Sequence, residues 1–144
     1  MDNPSSKPKA RGRYMALALI LLLLLVLGWF VLSPRAVTLT PEREAYPAGT
    51  GSIACTWRNG TLHAIGYSNP YTLERLEGET WREVPVNLFF ELPLYRLPPL
   101  VGRRQMTYLL DTSLKPGQYR ICAQYYPASG RTPHTAYAHF TLTP

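Results

Sequence analysis

The side chains that could carry chemistry in this sequence are few and loosely spaced. Histidines stand at positions 63, 134 and 139. A metal site needs ligands converging at about 2 Å, usually from tight spacings such as His-x-x-x-His. His134 and His139 are five apart, and His139 alternates outward on a β-run, so His63, His134 and His139 read as exposed polar side chains. Hydrolase chemistry finds no motif: Gly-x-Ser-x-Gly is absent, and no Gly-rich phosphate loop opens a helix. With nine acidic residues in 144, nothing marks a carboxylate pair for glycoside cleavage. Asp111 lies where a β-run ends and reads as an Asx turn. Asn59-Gly60-Thr61 fits the N-glycosylation pattern, yet reads more simply as an Asn-Gly turn. The expectation is a protein with no catalytic, metal-binding or cofactor-binding residue and no enzymatic activity. Cys55 and Cys122 are the remaining reactive groups, and whether they can meet depends on the elements that hold them.

Those elements fall into three parts: residues 1–14, 15–32 and 33–144. Met15 to Leu32 is an uncharged run of 18 residues. As a helix it would extend about 27 Å, close to the thickness of a bilayer's hydrocarbon core. A helix apolar on every face has no side to give to water. The expectation is therefore a transmembrane helix. Lys7, Lys9, Arg11 and Arg13 precede it, against Asp2 alone, whereas only Arg35 follows closely. The positive-inside rule then places the short basic tail in the cytoplasm, against anionic lipid heads, and residues 33–144 outside. A cleaved signal peptide is the competing reading, but its apolar core is usually shorter. Pro34 and Arg35 also suit a signal peptidase poorly at the exit, so an uncleaved signal-anchor is favoured.

After Pro34 the composition changes. Gly and Pro recur every several residues, and no stretch between them is both long and helically periodic. Several runs alternate with period two, as half-buried strands do. Val37 and Leu39 point one way, as do Ile53, Cys55 and Trp57. So do Met106, Tyr108 and Leu110; Tyr119, Ile121, Ala123 and Tyr125; and Ala136, Ala138, Phe140 and Leu142. Less regular strands are expected near 64–67, 71–76, 81–84 and 88–92. Seven to nine short strands in about 110 residues suit an all-β, immunoglobulin-like Greek-key sandwich. From Ser33 onward 11 bases face 8 acids. They are interspersed, so no basic stripe suits nucleic acid.

Particular stretches strengthen this. Val37-Thr-Leu-Thr, Tyr46-Pro-Ala-Gly49 and a strand ending at Arg58-Asn59-Gly60 resemble the opening of a bacterial Ig-like domain. Pro70-Tyr-Thr-Leu-Glu-Arg-Leu-Glu-Gly-Glu-Thr-Trp-Arg-Glu-Val-Pro85 and Leu114-Lys-Pro-Gly-Gln-Tyr-Arg-Ile121, closed by Ala138-His-Phe-Thr-Leu142, are the more specific matches. Together they resemble the type-fourteen bacterial Ig-like family, whose members are often membrane-anchored or secreted proteins of Gram-positive bacteria. The resemblance covers Val37–Leu142 and implies a fold. It brings no catalytic residue, because such sandwiches host unrelated functions. The turn before the later strands, Pro98-Pro99-Leu100-Val101-Gly102, replaces the family's Gly-rich one.

Cys55 and Cys122 fall on the second and penultimate main strands, where antibody domains place their inter-sheet disulfide. An oxidising compartment allows the bond. Closing that loop would stabilise by roughly 4 kcal/mol on the chain-entropy view. Against it, period two turns Ile121 inward and Cys122 outward, so pairing would need a bulge or phase shift. Pairing stays open at this level. Outward residues of the last two strands, Arg120, Gln124, Tyr126, Tyr137 and His139, form a candidate binding patch, since Tyr and Arg often anchor recognition. Ordinary cross-strand pairing on a solvated face would use the same residue types.

The sequence thus leads to a membrane-tethered, extracytoplasmic Ig-like binding or structural module of the bacterial cell envelope. Its expected partners are the lipid bilayer and another envelope or extracellular protein. The alternative is a domain that presents a loop to a protease as an inhibitor, with 87–101 and 128–134 as candidate loops.

Overall fold

A computed structural model describes the backbone of residues 9–32, 36–86, 93–128, 130 and 132–144, and within the helix the side chains of residues 14–29. The chain divides into two compact units, Met1–Pro34 and Arg35–Pro144. The first holds helix α1, Lys9–Leu32, with no acid in its first turn and no base in its last. From Leu17 to Leu27 its leucines, Ile20 and Val26 are each more than half exposed. Among the described residues no helix is long and apolar enough to cross a membrane. That finding does not support the transmembrane helix expected over Met15–Leu32.

The second unit is a β-sandwich. Strands β1 (Val37–Pro41), β3 (Ser52–Asn59) and β7 (Gly102–Leu109) form a three-stranded sheet in the order β1-β3-β7. Strands β2 (Ala45–Pro47), β9 (His134–Thr143), β8 (Gly117–Pro127), β4 (Ile65–Glu77) and β5 (Thr80–Val84) form the other, in that order, with β6 (Tyr95–Leu97) pairing on β4. The main pairings are antiparallel, while the short β2 runs parallel to β9.

Period two works here because one side of each sheet packs on the other. Leu39, Ile53, Cys55, Trp57 and Tyr108 from the smaller sheet meet Tyr67, Leu73, Tyr119, Ile121, Ala138 and Phe140 from the larger. The inward rows expected from alternation are buried, except that Val37, Met106 and Tyr125 are only partly so. Trp57 is wholly buried, and its indole N–H donates to the Tyr108 hydroxyl at 2.8 Å, which satisfies both polar atoms in the core. The Tyr119 hydroxyl donates back to the Lys115 carbonyl at 2.7 Å, pinning the turn that leads into β8. This is the tyrosine corner of Ig-like sandwiches.

Two expectations about the strands and loops change. The strands near 64–67 and 71–76 are one strand, β4, whose pairing with β8 shifts register between Tyr67 and Tyr71. Pro70 lies in the shifted stretch, as a residue without an N–H must when it sits inside a sheet. The β4–β5 turn closes over Gly78-Glu79, with Gly78 at φ 63°. Gly at the first of two turn residues is the requirement of a tight hairpin of this kind. The strand expected at 88–92 lies outside the described residues. Pro93–Val101, expected as part of an irregular inhibitor loop, instead contains β6, whose Leu97 pairs with Ile65. Of the other candidate loop, 128–134, residues 129 and 131 lie outside the described set.

The Asn-Gly-Thr sequence is no exposed acceptor. Asn59 is completely buried, and its amide nitrogen donates to the carbonyls of His63 and Pro98 at 2.8 and 3.0 Å. Its amide oxygen accepts from the Thr61 N–H at 3.0 Å. Asn59 therefore organises the loop that follows β3 and does not make a two-residue hairpin turn.

Candidate binding surface

The outer face of the larger sheet gathers the outward residues of β5, β4, β8 and β9. Register sets Glu74 against Arg120 and Arg120 against His139, then Thr72 against Cys122 and Cys122 against Tyr137. Side chains on one face of neighbouring strands touch directly, so these pairs make the surface. Arg120 is its centre. Its guanidinium carbon lies 4.5 Å from the ring centroid of Trp81 and 4.5 Å from that of Tyr137. Its Nε donates to the Glu74 carboxylate, and both side chains are mostly buried. His139 meets Trp81 edge-on at 5.3 Å. A cation against two rings and beside a carboxylate is held by each partner, more strongly than an exposed pair would be.

Beside this cluster the face sinks into a hollow of about 350 Å³ around Ser68, Thr72, Cys122, Gln124, Tyr126 and Thr135. The size falls within the range of small-molecule sites. Among the described residues no charged side chain lines it. Tyr126 stands exposed at its rim, and Tyr137 is exposed on the neighbouring strand.

The five residues expected to form a patch thus lie on one sheet face but in two parts. Arg120, Tyr137 and His139 pack around Trp81 and Glu74, while Gln124 and Tyr126 belong to the hollow. Arg120 is less available than a recognition arginine would be, because its charge is paired with Glu74 and two rings already lie against it. Trp81 and Glu74 were not singled out from sequence. Their signal was the hairpin turn at Gly78, which brings β5 alongside β4, but the cross-sheet reach of Trp81 needs the register.

Cys55 and Cys122 are both free thiols and both buried. The disulfide left open by the sequence is not formed, and alternation gives the reason. Cys55 points into the core, whereas Cys122 turns to the outer face, between Thr72 and the hollow. Burial pushes the Cys55 thiol up to about 12. Burial, then the Glu74 charge and the hydrogen bond to it, push Cys122 up to about 11, against the opposing pull of Arg120 and Thr72. Neither is a ready nucleophile at neutral pH, since the thiolate is the reactive form.

The histidines do not converge. His63 sits on the loop after β3, His134 stacks on Tyr125 at 5.5 Å, and His139 belongs to the aromatic cluster. Among the described residues no three His, Cys, Asp or Glu side chains stand close enough to share a metal ion. Asp111 accepts the Ser113 N–H at 2.8 Å, the Asx turn expected of it, and that bond holds its carboxyl below the usual range.

Among solved structures, the PapD-like domain 7 of human CEP192 is similar to 77% of this chain over 89% of its own, at 9% identity and a TM-score of 0.37. A β-glucosidase, EmGH1 of Erythrobacter marinus, matches at 16% identity and a TM-score of 0.35, over 74% of this chain but 15% of its own. The alkylpurine DNA glycosylase AlkC of Pseudomonas fluorescens matches at 12% identity and 0.35, over 78% and 32%. Likenesses this distant carry nothing about activity. No curated protein matches the chain. The model of the bacterial Ig-like domain family matches residues 33–141, which takes in both sheets of the sandwich. With that match over three-quarters of its length, the chain belongs to the bacterial Ig-like domain family.

Proposed function

We propose that this chain is a non-catalytic module tethered to the cell membrane by α1, with its N-terminus in the cytoplasm and its Ig-like domain displayed outside. The support for the tether is the uncharged run Met15–Leu32, held within the backbone helix Lys9–Leu32 and preceded by four bases. On the domain, the outer face of the larger sheet receives an envelope or extracellular protein. The observation that carries this is the pair of exposed rings on one face, Tyr137 against the cluster of Arg120, Trp81 and His139 and Tyr126 at the hollow beside it. Rigid aromatic anchors lose little entropy on binding and are enriched at interface centres.

Protease added to intact cells should remove the domain, and alkaline carbonate should leave the full chain in the membrane fraction. A domain protected until lysis would overturn the topology. Cross-linking on intact cells should capture a partner that is lost in Tyr126→Ser/Tyr137→Ser. Capture unchanged in that folded variant would remove this face from the reading.

A further inference from the structure

The end of the sandwich at which β1 begins carries several exposed apolar side chains. Register sets Val37, Asn59 and Gly102 side by side there. The Gly60 N–H donates to the Ala36 carbonyl at 2.9 Å, so the loop after β3 begins beside the point where the chain enters the domain. Two of the described loops at this end are joined to each other: 60–64 between β3 and β4, and 98–101 between β6 and β7. The Leu100 N–H donates to the Thr61 carbonyl at 3.0 Å, and Asn59 beneath them bonds to carbonyls in both loops. The joined pair is therefore held in place by a buried side chain.

What this held pair presents is apolar. Leu62 is 48% exposed, Leu100 41% and Val101 81%. Leu100 has φ 63°, a left-handed conformation that bulky residues rarely take. Gly102 follows because a Cβ there would come within 2.3 Å of the Pro98 carbonyl oxygen. Next to the tips, Arg58 and Arg103 face each other across the β3–β7 register, and both are exposed. Among the described residues the salt bridges are Arg82–Glu77 and Arg120–Glu74, so neither Arg58 nor Arg103 is in one. Like charges directly opposite one another are destabilising, so folding alone disfavours the pair.

We propose that this end docks on the surface of an anionic phospholipid bilayer. Leu62, Leu100 and Val101 enter the boundary between headgroups and acyl chains, and Arg58 and Arg103 take lipid phosphates. Apolar tips with a basic rim are the chemistry of interfacial membrane binding. Chain length selects this occupant. Only residues 33–36 separate Leu32 from Val37, a reach of about 17 Å when fully extended. With the proposed tether, that short connection holds Val37, where β1 begins, within about 17 Å of the end of the apolar run. That part rests on the proposed tether; the charge and apolar pattern lies wholly in the domain and is tested without it.

The test uses residues 35–144, which form a compact unit around their own core. They are sedimented with vesicles of phosphatidylglycerol mixed into phosphatidylcholine, and with phosphatidylcholine alone. Binding should need the anionic lipid and weaken with salt. It should fall about fivefold for each of Arg58→Gln and Arg103→Gln. It should fall more than tenfold in Leu100→Asn/Val101→Ser, where Asn tolerates the left-handed backbone. Thermal unfolding of the variants separates lost binding from lost folding. A domain that stays in the supernatant with anionic vesicles at low salt overturns the proposal, as does binding that none of these changes alters. Self-association abolished by the same changes, without vesicle binding, would assign the end to a second copy instead and also overturn it. Failure of the tether would appear elsewhere, as full chain released by carbonate while the fragment still binds vesicles.

Discussion

The two outer faces of the sandwich are built from the same alternation yet treat their charges in opposite ways. On the larger sheet, Arg120 is enclosed by Trp81, Tyr137 and Glu74. On the smaller sheet, the outward residues of β1, β3 and β7 include Thr38, Thr40, Thr56, Gln105 and Thr107, with Arg58 and Arg103 and no carboxylate. One face satisfies its own charge and offers rings. The other leaves two like charges side by side and offers them to an anion. A face that is internally satisfied contributes to stability, while an unsatisfied one is stability forgone for contact with something else.

The largest effect should come from breaking the satisfied face. Glu74→Ala leaves the mostly buried Arg120 guanidinium without its carboxylate and takes the acceptor from Cys122. Stripping one partner from such a pair costs more than the pair contributes. Chemical denaturation should show a loss of about 2 kcal/mol. An unchanged midpoint would mean that the rings alone hold Arg120. The Cys122 thiol should then ionise more readily, which alkylation rates on the folded protein would record.

How much of this was legible in the sequence follows from what each feature depends on. The inward rows of β3, β8 and β9 needed only period two, and so did the opposed directions of Cys55 and Cys122. Strands β2 and β6 are three residues each, too short to show any period. Pro70 reads locally as a break, so β4 looked like two strands. Trp81 and Glu74 join the patch through pairing between β5, β4 and β8, which no single segment records. The apolar end is hidden more deeply. Leu62 and Leu100 lie in separate turns that look unremarkable one at a time, and a single backbone bond from Leu100 to Thr61 unites them.

A smaller effect concerns the two buried thiols, one on each sheet. An unfolded thiol gives up its proton near 9, while folded Cys122 keeps it to about 11 and Cys55 to about 12. Between those values the unfolded chain binds fewer protons than the folded one, so stability falls as pH rises. It is fully present below 9 and drains away through 11 to 12, with the buried tyrosines adding to the fall. Midpoints of denaturation measured from pH 8 to 10.5 should decline in the wild type and decline less steeply in Cys122→Ala. A slope that Cys122→Ala leaves unchanged would mean that the outer-face thiol does not contribute.

The smallest expected change has the opposite sign, and it discriminates best between the two faces. Arg103→Thr removes one of two guanidinium groups directly opposed across β3 and β7 and replaces it with a residue suited to an exposed strand. Relief of like-charge repulsion should raise stability by about 0.3 kcal/mol at low ionic strength, and the gain should shrink as salt screens the pair. The same change should weaken binding to anionic vesicles. A variant gaining stability while losing lipid contact is what a charge retained for docking produces. If Arg103→Thr were instead destabilising at every salt concentration, the arginine would be packing on its neighbours, and the smaller sheet would be as self-contained as the larger.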